Sequence, residues 1–297
     1  MSSRAGLDPA ARVQWIDLAP LLFVVLWSTG FIAAKAGLHD VGPYHFLLLR
    51  FALVSSLLGL TAWLSQAPWP RSPRSIVHIA VAGVLIHAGY LGGVFTALRQ
   101  GLGAGEVALL VGLQPVLTAA FAARWLGETV GMRRWAGLLL GLVGVTLVLL
   151  PRLQGLSGFA SAPAGLPAAA VALFAISLGT VYQKRFCATM DLRSGGAIQY
   201  ACSGLVLAAM ISPEDAAPVW SWRLVLALAW LVLVLSVGAV GLLYQLLRRG
   251  AASRVASLFY LVPPVTTLMG WAIFDESLHP STLVGMACVM LALLLIR

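Results

Sequence analysis

Ten stretches of this chain are apolar for about the length that a lipid bilayer demands, and that pattern decides what it can fold into. They fall at 18–37, 44–64, 76–98, 104–125, 135–151, 165–184, 194–212, 223–246, 255–274 and 280–296. A helix needs about 20 predominantly apolar residues to cross the hydrocarbon core. Within lipid every backbone N–H and C=O needs an internal partner, which leaves only helices and closed barrels. These runs are too long and too uniformly apolar for the alternating strands of a barrel. The sequence therefore predicts an all-α integral membrane protein of ten transmembrane helices. Of the 297 residues 60% are hydrophobic and 10% charged, where a soluble domain carries about 25% charge, so a soluble fold is excluded. Ala34-Lys35-Ala36 resembles a signal-peptidase site, but the preceding apolar run is longer than a usual signal core and more spans follow. The first window is read as a span.

Loop charges set the orientation. Assigning loops alternately places Arg4, Arg12, Arg71, Arg74, Arg133, Arg134, Arg185, Arg193, Arg248, Arg249, Arg254 and Arg297 on one face. Only Arg99, Arg152 and Arg223 fall on the other. The arginine-rich face is expected to be cytoplasmic, with both termini inside. The formal charge is +9, but the basic residues are isolated between apolar runs, so nucleic acid is not an expected partner. Cys187, Cys202 and Cys288 form no disulfide framework and read as packing residues.

The chain also repeats itself. A shift of 148 superposes Val107 on Val255, Ala108 on Ala256, Leu110 on Leu258, Leu113 on Leu261, Pro115 on Pro263, Thr118 on Thr266, Glu128 on Glu276 and Gly137 on Gly285. A shift of 149 superposes Ser28 on Ser177 and Lys35 on Lys184, the only lysines present. The reading is a duplicated five-helix unit: residues 1–150, a Pro/Gly/Ser-rich connection at 151–167, and residues 168–297. Five is odd, so the second copy enters the membrane from the opposite side. Inverted repeats of this kind characterise secondary transporters.

Trp27-Ser28-Thr29-Gly30-Phe31, Leu49-Arg50-Phe51, Gln114-Pro115 and Gly127-Glu128 resemble the ten-helix EamA-type branch of the drug/metabolite transporter superfamily. Within that branch the chain looks like the amino-acid exporters of the YddG type. The second half departs from the pattern, with Asp275-Glu276 for Gly-Glu and Pro263-Pro264 for Gln-Pro. The resemblance implies export of amino acids, aromatic ones included, and related metabolites from a bacterial inner membrane, with broad-specificity drug and metabolite efflux the alternative.

Residues that would carry transport are few. Pro115 lies near the middle of the fourth span and Pro263-Pro264 near the middle of the ninth. Each proline removes a donor and frees carbonyls, and in lipid such a break must face protein or a water-filled cavity. Interrupted segments at matching places in two halves point to a midplane site, so Pro115, Pro263 and Pro264 are candidate gating residues. Gln114, beside the break, both donates and accepts. His87 and Tyr90 share a helix face and either line the cavity or bond between helices. Trp27, Ser28, Tyr244, Tyr260 and Trp271 complete the set of candidate substrate contacts, with interfacial anchoring the alternative for the two tyrosines. Arg50 lies roughly 9 Å into the second span. It either snorkels outward or faces the cavity, where its guanidinium suits a carboxylate bidentately.

Gly137, Gly141 and Gly144 give the fifth span a small-residue face for internal packing or a homodimer contact. Glu128 and Glu276 sit in loops, where capping or an ion pair such as Glu128 with Arg133 is expected. No metal-ligand spacing, nucleophile motif or charged ring appears in the sequence, which argues against a membrane enzyme and a channel. No cofactor is expected; the expected partners are the bilayer and a small-molecule substrate. Asp17, Glu106, Asp40, Asp191 and Asp275-Glu276 lie at span ends or in loops. That leaves His87 as the one central group that titrates near neutrality, and proton coupling is expected to be weak or absent.

Overall fold

The computed structural model describes residues 9–100, 104–153, 164–212, 217–274 and 279–296. Asp275, Glu276 and most of the 151–167 connection lie outside these residues, as do the side chains of Asp17, Lys35 and Glu106. Helical segments follow one another as α1 (Pro9–Gly37), α2 (Pro43–Leu64), α3 (Pro73–Arg99), α4 in two pieces (Ala104–Val111 and Gln114–Leu126) and α5 (Met132–Leu153). The second half runs α6 (Gly165–Phe186), α7 (Leu192–Ala208), α8 (Trp222–Arg249), α9 in three pieces (Ala252–Ser257, a 3₁₀ turn Leu258–Leu261 and Val262–Phe274) and α10 (Pro280–Ile296). No strand occurs among the described residues.

Six stretches are long and apolar enough to cross a bilayer: Pro43–Leu64, Pro73–Arg99, Val107–Leu126, Met132–Leu150, Gly165–Phe186 and Trp222–Arg249. Leu18–Gly30 and Pro280–Ile296 are shorter apolar helices. Leucines and valines such as Leu60, Val143, Leu205, Leu226 and Leu291 face outward, which water would penalise and lipid does not. Exposed tryptophans gather near helix ends, Trp63 and Trp69 at one end of the bundle, Trp220 and Trp222 at the other, as aromatic belts do. The chain is a multi-pass membrane protein.

Local chemistry fixes the helix starts. Ser72, Asp191 and Ser221 accept backbone N–H bonds as N-caps of α3, α7 and α8. Pro43, Pro73 and Pro280 open α2, α3 and α10 with a preset φ. Gly127 ends α4 at φ +66°, a left-handed position that glycine occupies without strain.

The connections gather in two groups. Around residues 65–72, 187–191 and 250–251, Arg193 donates to Ser65 Oγ (2.7 Å), Ser194 to the Pro68 carbonyl (2.7 Å) and Arg248 to the Met190 carbonyl. At the other end, Val219 N–H donates to the Asp40 carbonyl at 2.8 Å and Ser221 Oγ to the Asp40 carboxylate at 2.5 Å.

Packing has the symmetry of a duplication. α6 lies against α3 and α4, and α1 lies correspondingly against α8 and α9; α2 runs along α7, and α5 along α10. The last pair meets through glycine: a Cβ on Gly144 would stand 2.8 Å from the Gly285 carbonyl, and one on Gly137 2.9 Å from the Ala292 carbonyl. Gly141 faces the ring of Tyr260. The small-residue face of α5 is thus covered within the chain, which leaves it unavailable to a second copy.

Candidate functional site

Helices lose regular winding at matching places in the two halves. α3 is wound as π-helix over Val84–Gly92 and α8 over Leu231–Ala239. α4 breaks at Gly112-Leu113, and α9 tightens to 3₁₀ at Leu258–Leu261. Pro115 and Pro263-Pro264 stand in the first turn of the piece that follows each break. They begin a half-helix, where the missing N–H would be unpaired anyway, rather than free carbonyls within a continuous helix as the sequence reading expected. Such irregular turns recur at functional sites.

Between these stretches lies a buried polar cluster. His87 stacks on Tyr200 with ring centroids 4.1 Å apart, and Phe51 meets both rings edge-on. The Tyr244 hydroxyl lies 3.4 Å from His87 Nε2 and donates to Gln199 Oε1 at 2.8 Å. Gln199 Nε2 donates to Gln183 Oε1 at 2.8 Å. Arg50 Nε donates to Ser236 Oγ at 3.0 Å. A cavity of about 410 Å³ opens beside the cluster between α1, α2, α7 and α8. Tyr200, Ser236, Tyr244, Gln245 and Arg193 form its polar wall, and Leu22, Leu26 and Leu58 are among its apolar lining. A hollow of about 570 Å³ at the end of α2, lined by Trp63, Trp69 and neighbours, carries no charged side chain and lies among lipid-facing residues.

His87, Arg50 and Tyr244 therefore come together, and Tyr90 is an electrostatic neighbour of the Arg50 guanidinium. Gln114 is buried with its Nε2 unpartnered among the described residues. Ser28 donates to the Val24 carbonyl at 2.8 Å and reaches the Val262 carbonyl at the α9 break at 3.5 Å. Trp27 packs on Phe23 and Phe259. Two candidates stand apart. Tyr260 donates to the Leu138 carbonyl of α5 at 2.9 Å, and Trp271 is half exposed on the outside of α9. Sequence reasoning missed Gln199, Tyr200 and Ser236. An amide and a phenol adjacent in an apolar run were a readable signal at 199–200; a lone serine in α8 was not.

Residues 14–150 and 163–297 each match the EamA-like transporter family. The chain belongs to that family. It is a membrane transporter rather than an enzyme. Among its relatives, a protein of Salmonella typhimurium described as a probable amino-acid metabolite efflux pump is 28% identical over 92% of this chain and 91% of its own. The uncharacterised inner membrane transporter YedA of Escherichia coli is 26% identical over 95% and 91%. A crystal structure at 23% identity, covering 94% of both chains, superposes with a TM-score of 0.80 and shares the fold.

This EamA-like chain also carries a polar latch away from the cavity. Glu128, in the loop after α4, accepts from Lys184 Nζ of α6 (2.9 Å), Ala252 N–H (2.7 Å), Ser253 N–H (3.3 Å) and Ser253 Oγ (2.8 Å). Lys184 donates further to the Gly250 carbonyl at 2.6 Å. The expected pairing of Glu128 with Arg133 is not made; Arg133 donates to the Leu294 carbonyl. Glu128 caps the start of α9 and ties it to the ends of α4 and α6.

Proposed function

We propose that the chain is a secondary transporter that exports small organic metabolites, amino acids among them, by alternating access across the bacterial inner membrane. In this reading it crosses the bilayer ten times as two inverted five-helix repeats, with both termini cytoplasmic. One observation carries the reading: the irregular stretches of α3 and α8, and the breaks of α4 and α9, occur at equivalent places in two halves and surround one buried polar cluster. Two similar halves of opposite orientation supply two states of comparable energy, each open to one side. The names of the Salmonella and Escherichia coli relatives support metabolite export and the inner membrane.

Vesicles containing the purified protein test it. Labelled amino-acid uptake is expected to saturate and to accelerate when unlabelled substrate is loaded inside. Flux that stays linear with concentration and ignores the opposite compartment identifies a pore and overturns the proposal.

A further inference from the structure

Arg50 is a buried cation without a counter-ion among the described residues. It is 7% exposed, its one hydrogen bond to a described residue is the Nε bond to Ser236, and it forms no ion pair among the described residues. Its Nη donors thus have no acceptor among these residues. The groups beside its charge are the phenols of Tyr90 and Tyr200 and the His87 ring, and the buried Tyr200 hydroxyl, with the Ser236 side chain as a polar neighbour, makes no hydrogen bond of full geometry among the described residues. Tyr200 and Ser236 both line the cavity. An unneutralised guanidinium in the membrane interior is costly and marks a ligand pathway. Arg50 stands behind this wall, bonded to Ser236, whereas Arg193, the cation on the lining itself, is already held by both oxygens of Asp191, at 3.1 and 2.8 Å.

We infer that Arg50, Ser236 and Tyr200 form a seat for one carboxylate, and that this seat rather than any ammonium site selects the substrate. The inference rests on the transport reading above. A carboxylate takes two parallel N–H bonds from the guanidinium and a third from the Tyr200 hydroxyl. No acidic side chain lines the cavity among the described residues, so a substrate ammonium finds no counter-charge there. Apart from Tyr244, Gln245 and the paired Arg193, the remaining wall is leucine, valine and glycine, which fits an apolar body. The substrate class is therefore apolar monocarboxylates, with or without an α-amino group.

Four molecules of one shape separate the possibilities: L-phenylalanine, phenylpyruvate, L-phenylalaninamide and phenethylamine. Binding to the detergent-purified full chain, read by thermal shift and isothermal titration, is expected for the first two with affinities within about threefold, and to be at least about tenfold weaker for the amide and the amine. Tyr200→Phe removes a hydroxyl that makes no hydrogen bond of full geometry among the described residues and has the Ser236 side chain as a polar neighbour, so it should fold as wild type yet weaken both carboxylates by about three- to tenfold. Arg50→Gln should abolish the preference for the carboxylate over the amide. Equal binding of the amide, binding of none of the four, or unchanged affinity in Tyr200→Phe overturns the seat. If the carboxylates bind as expected but cross no vesicle membrane, the transport reading fails and the seat stands; if the amide is transported as fast as the acid, the seat fails and transport stands.

Discussion

Glu128 holds three pieces of chain with one carboxylate, and its ionisation is set by that work. Burial alone would raise its pKa, but the Ala252 backbone N–H, the Lys184 ammonium and the Ser253 hydroxyl outweigh it and keep the carboxyl below its ordinary value of 4.5. A group depressed in the folded state contributes stability that is fully present above its unfolded pKa and is lost as pH falls through the folded one. Melting of the purified protein should therefore be insensitive to Glu128 between pH 7 and about pH 5, then drop below about pH 4.5 as the latch protonates. Glu128→Gln should lower the melting temperature at pH 7 and flatten part of that acid slope. An unchanged slope would assign it to other carboxylates, such as Asp191 at the α7 cap. The partner of Glu128 was illegible in the sequence because Lys184 lies 56 residues away; the nearby Arg133 was merely the cation that chain distance displays. Arg50 was legible as an unusual charge in an apolar run. Its setting was not, since Ser236 stands 186 residues further on.

Among the helices, the interruptions of α4 and α9 could be read from Pro115 and Pro263, since proline acts locally on its own turn. The π-wound stretches could not. Nothing in Val84–Gly92 departs from the period of an ordinary helix; what accompanies it is close packing, with Gly83 pressed on Gln199 of α7, and Gly89 and Gly93 on Ala175 and the Ala168 carbonyl of α6. Those contacts exist only once the helices have met. If the breaks are hinges, releasing the fixed φ that each proline imposes at the start of its half-helix should change how they flex. Pro115→Ala and Pro263→Ala are expected to change turnover by several-fold while leaving the amount of protein in the membrane near wild type, because a first-turn proline contributes little to helix pairing. Quantitative blotting beside initial transport rates measures both. Wild-type rates in the two variants would make the prolines packing features and place the moving parts in the π-wound stretches of α3 and α8.

For the whole molecule, the duplication was legible because Pro, Thr, Glu and Gly matches survive in a composition where Leu and Ala matches mean nothing. It bears directly on energy coupling. A proton-driven exchanger generally keeps a carboxylate in the membrane interior, where proton and substrate compete for it, and such a group is otherwise too costly to retain. Among the described residues, the carboxylates of Asp40, Glu128 and Asp191 all sit in connections or at helix caps and are bonded there. The one central side chain that titrates near neutrality in water is His87, held between the Tyr200 ring and the Tyr244 hydroxyl. A transporter arranged this way should let substrate run down its own gradient. Efflux from loaded vesicles is expected to continue at an undiminished rate when a protonophore collapses the pH gradient, and an imposed gradient should not drive accumulation. His87→Gln keeps a hydrogen-bonding side chain but cannot titrate, so it should leave both results unchanged. Uphill accumulation driven by a pH gradient in the wild type and absent in His87→Gln would overturn the uncoupled mechanism and identify His87 as the proton carrier.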